Sequence, residues 1–170
     1  MPRPTVPDEL PLRRLRRARA LRRAYVAAIT ALVVLGLAGF AGQRTVTVRS
    51  DRDGWVLEVR HVARTRAGMP ADMRFVVRRD GGFDGPITLA ISASYMELLD
   101  DHGLMPEPSA ATADDRFIEM EFDPPDGETF QLLYKGRIGT DVQRGREGVV
   151  AILEGDAPVV TVDIATGVLP

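Results

Sequence analysis

Cysteine is absent from this 170-residue chain, and lysine and histidine are nearly absent. Without cysteine, the chain can form neither a disulfide framework nor a thiolate zinc site. Lys135 is the only lysine, so arginine supplies almost all of the positive charge, and His61 and His102 are the only histidines.

Motifs that mark common enzyme classes are also missing. The chain contains no Gly-x-Ser-x-Gly, no glycine-rich phosphate loop and no His-Glu-x-x-His. Glu97, Asp100 and Asp101 would be candidates for acid–base work, but no sequence feature raises a carboxyl pKa or forms a cleft there. We therefore expect a protein that is not an enzyme and that carries no cofactor.

A charge-free run over residues 24–43 divides the chain. As a helix it would be roughly 30 Å long, which matches the hydrocarbon core of a bilayer. Residues 1–23 carry eight arginines against two carboxylates, and positive flanks of a spanning helix stay in the cytoplasm. The pattern predicts a basic cytoplasmic leader over 1–23, a transmembrane helix over 24–43 and an extracytoplasmic domain over 44–170. We therefore expect a single-pass protein of the cell membrane with its N-terminus inside.

Two other interpretations of the N-terminal region are open. A signal peptide would be cleaved after Ala41, but both the basic segment and the apolar run are longer than usual for one. A basic segment also suits nucleic acid, yet nothing else in the chain resembles a nucleic-acid module. We expect an uncleaved anchor with its leader on the inner leaflet, and no nucleic-acid partner.

After the apolar run, the period changes to strict alternation interrupted by turn residues. Apolar residues occupy every second position in segment after segment, for example Trp55, Leu57 and Val59, then Met73, Phe75 and Val77. Such one-sided strands are typical of antiparallel sheets packed through their apolar faces. About eight short strands at this spacing predict an all-β fold, an immunoglobulin-like antiparallel β-sandwich, with a small barrel as the second choice.

The middle of the domain breaks this pattern. Residues 95–99 fit either a short helical turn or an irregular strand, and residues 100–114 show no period, which predicts a long loop. That region holds an acidic cluster around one imidazole: Glu97, Asp100, Asp101, His102, Glu107, Asp114 and Asp115. Carboxylates and imidazole suit a divalent cation, but their spacing matches no metal loop, so a solvated loop is the preferred interpretation and no metal site is predicted.

Two further features have structural explanations. His61 continues the apolar face of Trp55 and Val59, which predicts a partly buried, hydrogen-bonded structural histidine at the rim of the core rather than a ligand. Residues 51–54, Asp-Arg-Asp-Gly, begin like a calcium loop but lack the later ligands and the closing glutamate. They are better explained as the turn of a hairpin.

Several segments are also familiar together. They are GGFDGPITL (81–89), SYMELLD (94–100), GLMPEPS (103–109), FDPPDG (122–127) and VVTVDI (159–164), with Pro170 at the end. With the arginine-rich leader and single anchor, the chain resembles a family of small bacterial membrane-anchored proteins with an outward-facing β-sandwich domain. The resemblance implies this layout and brings no activity, ligand or catalytic residue.

Three functions are consistent with these features. The first is a non-catalytic protein-interaction module or accessory subunit of a membrane complex, which contacts a membrane or envelope protein through residues 99–115, because loops on rigid sandwiches carry function. The alternative is a metal-dependent envelope binder or enzyme that uses the acidic segment from Asp100 to His102. The third is a structural subunit that acts through its transmembrane helix.

Overall fold

The computed structural model describes residues 12–37 and 42–169, without the side chains of 12–16, 37, 101 and 102. The chain divides into two compact units, residues 1–42 and 43–170. In the first unit, helix α1 (Leu12–Leu37) contains the end of the arginine-rich leader and the first part of the apolar run. Residues 38–41 of the predicted span lie outside the described residues.

Helix α1 presents large apolar side chains to its surroundings. Among those that are exposed are Leu21, Ile29 and Leu32. Within the described residues, no helix combines the length and the apolar character needed to cross a membrane.

The described part of the second unit contains ten strands and one short helix. They are β1 (Arg44–Arg52), β2 (Trp55–Arg66), β3 (Met73–Arg79), β4 (Ile87–Ser92), α2 (Ala93–Met96), β5 (Leu99–Met105), β6 (Ala110–Ala113), β7 (Phe117–Phe122), β8 (Thr129–Ile138), β9 (Arg146–Glu154) and β10 (Ala157–Leu169). Turns with glycines at positive φ connect several of them. Between β1 and β2 both Asp53 (φ 50°) and Gly54 (φ 80°) are left-handed, a conformation that glycine adopts freely and aspartate tolerates. This confirms the hairpin predicted over residues 51–54.

The strands form one curled sheet in the order β5-β8-β3-β2-β10-β9-β4-β7-β6, with β1 also paired to β2. One half contains β1, β2, β3, β8 and β5, and the other contains β10, β9, β4, β7 and β6. β10 joins the halves: residues 157–166 pair antiparallel with β9, while residues 167–169 pair in parallel with 64–66 of β2. We call this junction of β2, β9 and β10 the seam.

Buried hydrogen bonds reinforce the seam. The Thr166 hydroxyl donates to the Val62 carbonyl oxygen at 2.5 Å and lies 2.7 Å from the Tyr95 hydroxyl. Since a threonine hydroxyl has a single proton, Tyr95 is the donor to Thr166. Burial raises the pKa of Tyr95. A continuous chain of hydrogen bonds therefore links α2, β10 and β2.

The two halves bury their apolar faces against each other. The alternating residues of the sequence point inward, and Leu57, Phe75 and Leu132 are completely buried. Phe122 of β7 and Phe130 of β8 meet in the core with ring centroids 5.1 Å apart. Each such side chain contributes about 1.5–3 kcal/mol on burial. The prediction of a mostly-β domain with a shared apolar core is confirmed.

The local predictions need three corrections. Residues 100–114 are not a long loop, because β5 and β6 occupy most of them. The sheet contains ten strands rather than about eight, and one of its pairings, between β10 and β2, is parallel. β5 and β6 lie at the two ends of the main strand order, and among the described strands each pairs on one side only. Such edge strands do not require an apolar residue at every second position, so the sequence pattern did not predict them. For residues 95–99, α2 confirms the helical alternative at their start.

Candidate functional site

A cavity of about 470 Å³ lies between the two ends of the sheet. We call it the groove. Its lining comes from α2 and the residue after it, from β5 to β8, and from the loops beside β6: Ala93, Met96, Glu97, Leu104, Pro108, Ala111, Ala113, Asp114, Ile118, Met120 and Tyr134. Most of these side chains are apolar, and both ends of the main strand order, β5 and β6, contribute to the lining.

The floor of the groove is formed by buried side chains. Tyr134 is 1% exposed, and burial raises its pKa to about 12, so the phenol is neutral at physiological pH. Gly136 makes room for the ring, because a Cβ there would come within 2.8 Å of Tyr134 Cε1. Met120 beside it is also buried.

The wall at β6 consists of small side chains. All four residues of β6 are exposed. Ala111 pairs with Met120 and Ala113 with Ile118, so these two alanines share the inward face of their neighbours. The other face carries Ala110 and Thr112.

A short turn fixes the β6–β7 hairpin. Asp114 Oδ1 accepts hydrogen bonds from the backbone N–H of Phe117 at 2.6 Å and of Arg116 at 2.7 Å. These two bonds, together with the nearby Arg116 charge, hold the pKa of Asp114 below its ordinary value. Asp114 therefore serves as a turn residue at the mouth of the groove.

The wall at β5 is less regular. Leu104 packs against the core, and Met105 is 67% exposed. The register of β5 against β8 shifts between Asp100 and Gly103, which marks a bulge.

The acidic residues predicted as a cluster serve separate purposes. Glu97 forms an ion pair with Arg146 at 3.0 Å, Asp100 lies opposite Arg137 in the β5–β8 register, and Asp114 holds its turn. The side chains of Asp101 and His102 lie outside the described ones. Among the described residues, no group of three or more histidines and carboxylates is placed to hold a metal ion.

His61 lies deeper than the predicted rim position. It is 1% exposed, and burial lowers its pKa. Its burial agrees with a structural histidine, but the predicted hydrogen bonds are absent, because neither ring nitrogen has a hydrogen-bond partner among the described residues.

Sequence reasoning missed the groove because it depends on which strands end the sheet. One signal was present: Ala110-Ala-Thr-Ala113 is an exposed strand with no charge and no proline, which is unusual for a sheet edge. Residues 99–115, predicted as a contact surface, do supply several of the groove's lining residues.

Comparison with known proteins gives little. No family model matches the chain, and no curated protein is similar to it. Among solved structures, the non-cellulosomal cohesin from the hyperthermophilic archaeon Archaeoglobus fulgidus is similar, with 14% identity and a TM-score of 0.37. The similarity covers 75% of this chain and 92% of that one.

Proposed function

We propose that this protein is a non-catalytic interaction module, anchored in the cell membrane, that binds a membrane or envelope protein through the groove. The observation that carries the proposal is the groove itself. It is an apolar cavity with a buried floor between the ends of the main strand order, and binding sites combine such an apolar lining with a few polar groups. The module belongs to the membrane-anchored family it resembles and is an immunoglobulin-like β-sandwich.

The anchor is residues 24–43, with residues 1–23 in the cytoplasm and residues 44–170 outside. Support for it comes from the absence of charge over this run, from the arginines before it and from the exposed apolar side chains of α1. The absence of cysteine gives a direct test. A Ser50→Cys variant in intact cells should react with a membrane-impermeant maleimide, and labelling only after lysis would overturn the topology.

The groove is tested with a matched pair of methionines. Met96 lines the groove, whereas Met69 is 43% exposed in the turn after β2. The C-terminally tagged full chain is purified from gently solubilised membranes, and the proteins that co-purify with it are identified. We expect Met96→Glu to abolish recovery of the partner and Met69→Glu to leave it intact. Both variants must unfold at the wild-type temperature. Equal recovery with both would refute the groove as the binding site.

A further inference from the structure

Strand β6 has an unused hydrogen-bonding edge that faces the groove. It ends the sheet, and among the described strands its only neighbour is β7. The N–H of Asp114 donates to the Phe117 carbonyl, so strand alternation turns the N–H and C=O groups of Ala111 and Ala113 away from β7. Their side chains lie on the groove side. The open edge and the groove therefore adjoin.

The two ends of the sheet differ in how they are protected. β5 contains a bulge and the charged side chain of Asp100. Both features disfavour the pairing of another strand with this edge. β6 has four exposed residues without charge, bulge or proline. An edge of this kind is a template for another chain.

The surroundings of β6 define the sequence that would pair with it. Every second side chain of an added strand would enter the groove, beside Ala111 and Ala113, and should be apolar. The remaining side chains would lie on the outer face, where Ala110 and Thr112 are the nearest neighbours. Beyond these small residues, Glu121 pairs with Ala110 and Glu119 with Thr112. Both glutamates are exposed, and neither forms an ion pair with a described residue.

We propose that the partner binds as an extra β-strand on β6, through an extended segment that alternates apolar with basic residues. Lysine or arginine on the outer face reaches across Ala110 and Thr112 to the two glutamates. Main-chain hydrogen bonds supply affinity, and the groove and glutamates supply specificity. This inference rests on the proposed function, for which it names the chemistry of the partner.

The probe is an eight-residue peptide of alternating valine and lysine, labelled with a fluorophore and titrated against the full chain in neutral detergent. We expect saturable binding. Two control peptides carry either glutamate in place of lysine or N-methyl groups at the pairing positions. Each should bind at least about tenfold more weakly, because a tenfold change in Kd corresponds to about 1.4 kcal/mol of binding free energy. If the N-methylated peptide binds equally well, strand addition is wrong. If the glutamate peptide binds equally well, the basic partner is wrong.

Variants of β6 test the same contact from the protein side. Ala111→Pro removes one outward N–H and leaves the β6–β7 hydrogen bonds intact, so peptide affinity should fall about tenfold. Met69→Glu, at a residue that does not line the groove, should bind the peptide as wild type does. Glu119→Gln combined with Glu121→Gln should lower affinity for the lysine peptide and reduce its dependence on salt. Unchanged affinity in both Ala111→Pro and the double variant would overturn the inference.

The two proposals fail in different ways. If the valine–lysine peptide does not bind, strand addition by a basic segment is wrong. Met96→Glu then decides the proposed function by itself. If partner recovery is lost in Met96→Glu and kept in Ala111→Pro, the groove binds its partner without an added strand.

Discussion

The seam and the groove are two regions of one curled sheet that differ in how completely their strands are paired. At the seam, β10 pairs with β9 and then with β2, and buried hydroxyls tie the strands to α2. At the groove, β5 and β6 are left without a further neighbour among the described strands. The strands of the seam are paired and closely packed, whereas the groove has unpaired strand edges and open space. Under the proposed function, the seam stabilises the domain and the groove binds the partner.

Glycines illustrate how closely the seam is packed. Gly145 lies against the backbone of β10, where a Cβ would approach Gly167 Cα to 2.7 Å and the Thr166 carbonyl carbon to 2.9 Å. Gly148 lies under Tyr95, whose Cβ would be 2.6 Å from an added methyl. In contrast, no atom lies within 4 Å of a Cβ built on Gly103 in β5.

The largest effect is expected from Gly145→Ala at the seam. The added methyl overlaps backbone that cannot rotate away, so the free energy of unfolding should fall by about 1–3 kcal/mol or more. Gly103→Ala is the matched control at the open side and should stay within about 0.5 kcal/mol of wild type. Urea unfolding of the full chain measures both. Equal losses would contradict the contrast between the two sides.

The buried hydroxyls of the seam come next. Thr166→Val deprives the Val62 carbonyl and the Tyr95 hydroxyl of their partner and should cost about 1–3 kcal/mol. Tyr95→Phe leaves the Thr166–Val62 bond in place and should cost about 1 kcal/mol. Thr112→Val, on the exposed edge of the groove, should change stability by less than about 0.5 kcal/mol. The same unfolding assay ranks the three, and a Thr166→Val loss no larger than that of Thr112→Val would refute the network.

Acid should weaken the seam through His61, which precedes Val62 in β2. Burial lowers the pKa of His61 from its ordinary value of 6.5, so the folded state binds fewer protons than the unfolded state. The stability contributed by the neutral imidazole is complete above pH 6.5 and is lost as the pH falls towards the lowered pKa. As the pH is lowered from about 7.5 to 5, the range in which histidine titrates, the free energy of unfolding should fall in the wild type. It should fall less in His61→Gln. Equal pH dependence in the two proteins would refute the role of His61.

The smallest effect belongs to the turn at the groove. Asp114→Ala removes the acceptor for the N–H groups of Arg116 and Phe117, but the side chain is exposed. The unfolding temperature should hardly change, while the amides of these two residues should exchange faster with deuterium. Asp115→Ala should leave both properties as they are. A melting shift as large as that of Thr166→Val would remove the distinction between the sides.

The faces of the strands were predictable because the pleat has a period of two residues. The alternation from Trp55 to Val59 and from Met73 to Val77 identified the buried side chains without any knowledge of pairing. The edge strands were not predictable in this way. Ala110–Ala113 has no apolar alternation, and the acidic residues around Asp100 looked like one cluster because they are close in sequence.

By itself, the sequence determined the absence of thiol chemistry, the charge-free run over 24–43 and the inward face of most strands, since each depends on composition or on local periodicity. Only the tertiary structure decided that β5 and β6 end the sheet, that β10 closes the other side, and that Glu97, Asp100 and Asp114 have separate partners. These features depend on pairings between residues far apart in the chain, such as Val62 with Thr166. A local pattern does not encode which strand will be the neighbour of another.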